Sequence, residues 1–442
     1  MTAVLKTIVV TLLRLEARIA LARHRPFVVA VTGSVGKTTT KEFLGEMLRR
    51  CEGTELVRVS EKSMNSEIGL PLAILGLENA WHSPWGWSRN LALGLARAVA
   101  FDFPKFLVLE VGADKPRDIS SVAKWIRSDV VVVTRLPEVS VHAENYPSLA
   151  AVQDEEWSMV GSFRDGGIAV LNGDDANIMA RRTRLPASVR VITYGFGALA
   201  AIRASDPIVD YTEQDGHIFP SGMRMEVQAQ GSTATFALEG VLGTQALTAA
   251  LAAIATGLSL GYTLSAVVEA LESAELPRGR MRILPGVGKT MLIDDTYNAS
   301  PVAVEAALDA LASLHVEGRK IAVLGDMLEL GEHSEREHRR VGRRAKEILD
   351  VLVTVGKRAR WIADEAKKAG MDPDAIMEFS DSDSAGEWMR GHLAEGDIIL
   401  LKGSQGSGEN KIRMERATKR LLRVPEIAPF VLVRQEPEWE KR

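Results

Sequence analysis

The sequence holds a single cysteine, Cys51, in 442 residues. One thiol can form neither an intrachain disulfide nor a cysteine-built zinc ribbon, and this scarcity fits a reducing cytoplasm. Long hydrophobic runs are missing near the start. The apolar stretch 7–13 lies between Lys6 and Arg14, far short of the ~20 apolar residues that a bilayer span needs. No small-residue cleavage site follows, so no secretory signal is expected. Residues 1–25 are expected instead to form an amphipathic helix capping the first domain. Its basic excess leaves a weak contact with a membrane surface open. Positive charge is not in surplus overall: 54 Lys and Arg against 58 Asp and Glu leave a formal net charge of −4. That excludes a nucleic-acid binder working through a globally basic surface. The Gly-x-Gly-x-x-Gly fingerprint is absent after the first expected strand, which disfavours a nicotinamide dehydrogenase.

Apolar material is ample, at 46% of the residues, and the length calls for more than one core. From Pro26 onward, short β-branched runs alternate with helical stretches, the pattern of βαβ units on a parallel sheet. Strands are expected over 27–31, 106–111, 130–134 and 168–171, with a helix over 37–50 whose Phe43, Leu44, Met47 and Leu48 share one face. Residues 196–240 read as an antiparallel excursion at the edge of this domain, closed by an alanine-rich helix over 244–260. A second α/β pattern has strands over 291–294, 320–324, 351–355 and 397–401, with helices over 302–314 and 334–349. The fold class is therefore α/β, with a central P-loop-type parallel-sheet ATPase domain over 26–285. A Rossmann-like α/β C-terminal domain over 286–425 follows, and a tail over 426–442 is expected to fray.

The strongest local signal runs from Val31 to Thr39, Val-Thr-Gly-Ser-Val-Gly-Lys-Thr-Thr. It sits between a strand and a helix, where Gly33, Ser34, Val35 and Gly36 can turn backbone N–H groups onto phosphate oxygens. Lys37 would reach the terminal phosphates of ATP, and the Thr38 hydroxyl would hold Mg²⁺, with Thr39 beside it. The strict P-loop pattern has glycine where Val31 stands. Glu110 ends a strand at the edge where ligands of parallel sheets collect, and a carboxylate there suits Mg²⁺. Read alone, Glu110 is better explained as a solvated strand-end charge, and His142 alone is a loop histidine.

Several further blocks lie in order along residues 27–425. They are Asn65-Ser66-Glu67-Ile68-Gly69, Leu109-Glu110-Val111-Gly112, and Val170-Leu171-Asn172-Gly173-Asp174-Asp175. Gly279-Arg280-Met281-Arg282 comes next, then Asp294-Asp295-Thr296-Tyr297-Asn298-Ala299-Ser300-Pro301. Val323 to Gly331 and Lys402-Gly403-Ser404 complete the series. With the phosphate loop, they resemble the Mur ligase family, in the type that adds D-alanyl-D-alanine to a muramoyl-tripeptide for peptidoglycan precursors. The resemblance implies an ATP- and Mg²⁺-dependent amide ligase working through an acyl phosphate, a cytoplasmic monomer acting on small molecules without nucleic acid. It implies Glu110 and His142 as metal ligands and Asp294, Tyr297 and Asn298 as nucleotide contacts. Arg280 would be a linker arginine meeting ATP on domain closure. Asn65, Ser66, Asp326, Lys402, Gly403 and Ser404 would contact substrates. A Mur-like ligase acting on another carboxylate, and a nucleotide-binding regulator without catalysis, remain as alternatives. Against the second, Lys37, Thr38, Glu110 and His142 are all retained.

The sequence also departs from the family pattern. Too few residues precede the first strand to build the usual uridine-binding domain, so little dependence on the uridine end of the acceptor is expected. Glu156 aligns with a lysine that relatives carbamylate to bridge a metal, and is assigned as a metal ligand in its place. An exposed helix charge beside Asp154 and Glu155 is the competing reading. Gln245, Ala246 and Ala249 replace the usual histidine and asparagines, leaving adenine recognition open. Trp81, Trp85 and Trp87 cluster before an apolar helix over 91–100, and local packing is the simpler reading of them.

Overall fold

A computed structural model describes residues 3–60, 64, 66–81, 83–113, 115–137, 145–274, 276–406, 412–436 and 439. Two expected site residues, Asn65 and His142, lie outside the described residues. The first sheet is built from β1 (Phe27–Thr32), β2 (Val57–Val59), β3 (Phe106–Glu110), β4 (Ser128–Val133), β5 (Phe163–Asn172), β6 (Arg190–Gly195), β7 (Ile202–Ala204), β8 (Ile208–Gln214), β9 (His217–Ala229) and β10 (Ser232–Glu239). Its order is β10-β9-β7-β6-β5-β4-β1-β3-β2, with β8 on β9. The strands from β2 to β7 pair in parallel, and β8 to β10 form the expected antiparallel excursion.

Strand β1 reads as a continuous apolar run because both of its faces are covered. Val29 and Val31 point into one core with Phe43, Leu44 and Met47 of helix α2 (Lys37–Glu52) and with the helix Thr244–Ser259. Val28 and Ala30 point the other way, into a core shared with α1 (Ala3–His24), α3 (Gly69–Leu75) and α4 (Pro84–Val99). Helix α4 starts seven residues earlier than the apolar run over 91–100 suggests. Ser83 caps it by accepting from the Gly86 N–H at 3.1 Å, and Pro84 occupies the first turn, where its missing N–H costs nothing. Trp85 and Trp87 therefore lie on the helix itself. Trp87 is buried and donates from Nε1 to the Trp81 carbonyl at 2.9 Å, whereas Trp85 faces outward.

The second sheet contains β11 (Arg282–Pro285), β12 (Met291–Asp295), β13 (Lys320–Gly325), β14 (Val351–Val355), β15 (Ile376–Phe379) and β16 (Ile398–Lys402), in the order β11-β12-β16-β13-β14-β15. Only β11 is antiparallel, and it pairs with β12 from Arg282 onward. Residues just before it still pair with the first sheet, since Leu242 N–H donates to the Met281 carbonyl at 3.0 Å. The two sheets thus meet within a few residues of chain. Tyr211 Oη also accepts from the His315 N–H at 2.9 Å, and His217 lies 3.3 Å from Glu317 and 3.4 Å from Glu395.

The segment beyond Pro425 does not fray as far as it is described. Arg434 is buried, pairs with Glu415 at 2.9 Å and donates to the Tyr297 carbonyl at 3.0 Å. A mixed-charge sequence looks solvated until its partner, itself fully buried, is placed beside it. Among the described residues, no helix is long and apolar enough to cross a membrane.

Candidate active site

The carboxyl ends of β1, β4 and β5 converge where the strand order reverses about β1, the position at which doubly wound sheets bind ligands. The loop leaving β1 is shaped by two glycines. Gly33 has φ +124°, and a Cβ there would lie 2.4 Å from Thr134 Oγ1 and 2.8 Å from the Arg135 carbonyl. Gly36 caps α2 at φ 87°. The loop is stitched to β4 by the Ser34 N–H donating to Arg135 O at 2.7 Å and by the Thr134 hydroxyl donating to Val35 O at 2.7 Å. The Lys37 ammonium folds back on the loop and donates to the Gly33 carbonyl. Thr38 sits half-buried in the first turn of α2, and Thr39 is buried.

Both carboxylates assigned from sequence as metal ligands lie inside the protein. Glu110 is 2% exposed, so it is no solvated strand-end charge, and register places it beside Val31 at the start of the loop. Lys41, wholly buried on α2, brings its ammonium within 3.7 Å of Glu110 and donates to the Ser60 carbonyl at 2.7 Å. Glu156 is 4% exposed, which rules out the surface-charge reading. Its Oε2 accepts from the Gly33 N–H at 3.0 Å and from the Thr32 hydroxyl at 2.9 Å, so the carboxylate props the phosphate loop from beneath. No group of three or more His, Cys, Asp or Glu side chains arranged to hold a metal is present among the described residues.

In front of the loop lies a cavity of about 380 Å³. Its walls include Gly36, Thr40, Asn172, Asp175, Gln245 and Thr248, and Ala306 reaches it from the second domain. The block 172–175 was recognised in the sequence but given no role. Asn172 donates to the Thr134 carbonyl at 2.9 Å. Asp175 accepts from the Leu136 N–H at 2.8 Å and caps the helix Ala176–Arg181. Lys41 was also missed, although its spacing of four from Lys37 was a usable signal for the inner face of α2.

The second domain contributes a denser set of charges. Arg280 stacks over the Tyr297 ring at 4.2 Å. Lys402 is buried, with its ammonium on Asp295 and on the Asn298 carbonyl at 3.0 Å. Burial lowers the Lys402 ammonium from its ordinary value, with Asp295 opposing the change and Arg280 adding to it. Burial also raises Asp294 to about 7, the neighbouring Asp295 and Glu415 adding to the rise, while Thr296 and Thr418 hydroxyls oppose it. Asp294 Oδ2 and Arg280 Nε are buried and have no hydrogen-bond partner among the described residues, so both can still accept or donate a bond to a water or a ligand.

Other assigned residues are occupied structurally. Asp326 Oδ1 accepts from the Arg358 and Ala359 N–H groups at 2.9 and 2.8 Å, fixing the turn after β14. The Ser404 hydroxyl accepts from the Leu328 N–H at 3.0 Å and donates to the Ala299 carbonyl at 2.9 Å. A Cβ on Gly403 would lie 2.5 Å from Met414. Ser66 accepts from the Gly69 N–H at 3.2 Å at the start of α3. The polar groups of Asp326, Ser404 and Ser66 are thus engaged by bonds to backbone within the fold.

Comparison with known proteins agrees with this architecture. Residues 31–257 match the Mur ligase middle domain, and residues 279–405 match the domain described as "Mur ligase, glutamate ligase domain". The UDP-N-acetylmuramoyl-tripeptide--D-alanyl-D-alanine ligase of Bacillus subtilis is 26% identical over 401 residues, covering 90% of this chain and 76% of its own. The protein of the same name from Mycobacterium leprae is 28% identical over 400 residues, covering 86% and 71%. Among solved structures, the MurF ligase of Thermotoga maritima in complex with ADP superimposes with a TM-score of 0.71. It is 26% identical and covers 93% of this chain and 83% of that one. The middle-domain match alone takes in more than half of the residues, and the chain belongs to the Mur ligase family.

Proposed function

We propose that this protein is an ATP-dependent amide-bond ligase that joins D-alanyl-D-alanine to the carboxylate of a muramoyl-tripeptide. The observation that carries the reading is the phosphate loop, bent at Gly33 and Gly36, facing a cavity whose far wall includes Ala306 of the second domain. ATP fits the cavity by its polar lining. The adenine would meet the Gln245 amide and the Thr248 hydroxyl, both of which line the cavity. Mg²⁺ fits the donors Thr38 and Glu110, both oxygen ligands of the kind a hard cation prefers. When bound, it would neutralise phosphate charge. His142 and Glu156 complete the proposed metal environment, Glu156 through the loop it supports. The oligomeric state is proposed to be a monomer in the cytoplasm.

The chemistry follows from bringing two anions together. Lys37 draws charge from the γ-phosphate, so an acceptor carboxylate oxygen can attack phosphorus and ADP leaves. The resulting acyl phosphate has a good leaving group. The amine nitrogen of D-alanyl-D-alanine then attacks the acyl carbon, the C–O bond breaks, and phosphate departs with the amine losing a proton. Arg280 and Lys402, both cationic near Asp294 and Asp295, are proposed to hold the nucleotide and the amine substrate on the second domain. Asn65, Ser66, Asp326, Gly403 and Ser404 are proposed to shape the substrate pockets. Closure of the second domain over the cavity would exclude the water that hydrolyses an acyl phosphate.

The test is a phosphate-release assay over muramoyl-tripeptides and dipeptides. Release that needs both a muramoyl-tripeptide and D-alanyl-D-alanine supports the reading. Release with another carboxylate, and none with the tripeptide, transfers the enzyme to a different substrate.

A further inference from the structure

Helix α1 is apolar on two sides, which a helix that only caps a domain does not require. Its inner side, Val9, Leu13, Ala17 and Ala20, is buried in the core under the first sheet. Its outer side carries Leu5, Ile8, Leu12, Leu15 and Ile19, each 37–53% exposed and spaced three and four residues apart along one stripe. Beside it lies α4, running in the same direction. Glu16 packs against Gly94, and the end of α1 meets the end of α4 where His24 approaches the Ala98 carbonyl at 3.2 Å. The outer side of α4 adds Trp85 at 81% exposure, Leu95 and Val99, and Phe101 just beyond it is 99% exposed. Exposed apolar side chains gathered on two neighbouring helices mark an interaction site.

The charges exposed on the two helices have one sign. Lys6, Arg18 and Arg23 of α1 are exposed, as is Arg25 just past its end. The sole acid in α1, Glu16, is turned inward and buried. Helix α4 carries no acid and exposes Arg89, while its Arg97 is half-buried and donates to the Leu75 and Gly76 carbonyls. Among the described residues, the acids Glu67, Glu78 and Asp102 lie off the two helices at the border, with Glu67 paired to Lys6 at 2.9 Å. A chain of net charge −4 has thus gathered a basic rim around its largest run of exposed apolar side chains.

We propose that the outer face of α1 and α4 docks this protein on the surface of an anionic lipid bilayer. The apolar stripe would enter the acyl boundary while the basic rim meets lipid phosphates, and Trp85 would sit at the interface. The helix lies on the membrane and does not cross it, because its inner side is held by the protein core. Charge decides against a second copy as the occupant. In a two-fold self-association the same basic residues would face one another, with no exposed acid on either helix to pair with them. The surface is separate from the cavity, so the inference stands whether or not the proposed ligation is correct.

The test is flotation of the full-length protein with vesicles of phosphatidylcholine alone and with 30% phosphatidylglycerol. At least tenfold more protein should float with the anionic vesicles, and 0.5 M salt should weaken the binding. Leu12→Asp with Leu15→Asp should abolish flotation, and Arg18→Glu with Arg23→Glu should reduce it about tenfold, with ADP binding retained as the check on folding. Should the aspartate pair fail to fold, Trp85→Ser with the charge-reversed pair carries the same test. No flotation of the folded wild type, or flotation indifferent to these changes, overturns the proposal. So does a wild-type dimer in sedimentation that the aspartate pair dissolves, which would make a second copy the occupant.

Discussion

At the carboxyl edge of the first sheet, position is set by backbone. Gly33 and Gly36 bend the chain, Thr134 and Arg135 hold it, and two buried carboxylates brace it, Glu110 beside Lys41 and Glu156 on the Gly33 N–H and the Thr32 hydroxyl. At the carboxyl edge of the second sheet, position is set by a web of side chains. Asp294, Asp295, Lys402, Glu415 and Arg434 are all buried there, and the web extends to the last described turns of the chain. A backbone cradle tolerates loss of a side chain because its shape does not depend on it. A buried ionic web does not, since removing one member strands another charge out of water. The first edge should therefore lose function without losing stability, and the second should lose both.

The largest expected effect tests the first half of that contrast. Lys37→Ala should lower the ligation rate constant kcat at least a thousandfold, equivalent to about 4 kcal/mol, while the thermal midpoint stays within a degree or two. A folded variant with near-normal turnover would remove the phosphate-loop assignment. Arg434→Ala probes the other half. It removes one of the two cationic partners of buried Glu415, the other being Arg413 at 2.9 Å, and should cost about 2 kcal/mol in urea unfolding. A loss below about 0.5 kcal/mol, the range of ordinary surface changes, would mean that the web does not hold the second domain together.

A third measurement separates buried charge from paired charge. Burial pushes Glu16 from 4.5 up to about 7, so the folded protein keeps a proton that the unfolded chain releases. Its contribution to stability is present in full below pH 4.5 and is lost as pH rises through 7. Asp294, raised from 3.8 to about 7, acts with the same sign. Glu16→Gln should therefore raise stability at pH 8, by about 1 kcal/mol once partial solvation of the carboxylate is allowed for, and flatten that part of the pH profile between 5 and 8. An unaltered profile would mean that Glu16 does not stay protonated in the fold. The smallest effect is expected at Glu156. Gln keeps an oxygen for the Gly33 N–H but drops the charge, so the Mg²⁺ concentration for half-activity should rise by about tenfold or less, without dependence on bicarbonate. Superimposable Mg²⁺ titrations would leave Glu156 a purely structural prop.

Features built from neighbouring residues could be read directly. Val31 to Thr39 announced a strand, a bend and a helix because glycine, lysine and threonine at those spacings impose a local geometry. The apolar runs of β1, β3, β4 and β5 did the same for a doubly covered sheet. The capping of α4 by Ser83 and Pro84 was equally local, yet the apolar run starting at Leu91 masked it. Glu110 and Glu156 were named, but whether each was exposed could not be judged from its own neighbourhood. Their burial depends on α2 and on the phosphate loop, which the chain brings to them from 69 or more residues away.

The sequence alone determined the class of chemistry, through the phosphate loop and the ordered blocks that accompany it, because hydrogen bonds to phosphate come from consecutive backbone groups. Tertiary structure decided what surrounds that loop. Only the strand order places β4 beside β1, so that Thr134 and Arg135 confine Gly33 across about 100 positions of sequence. Only packing turns Glu16 inward while leaving Leu12 and Leu15 in the open, since a helix with two apolar sides does not specify which one the core will take. And only the return of the chain to Glu415 makes Arg434 a buried residue, because a charge is worth burying solely where its partner is already waiting.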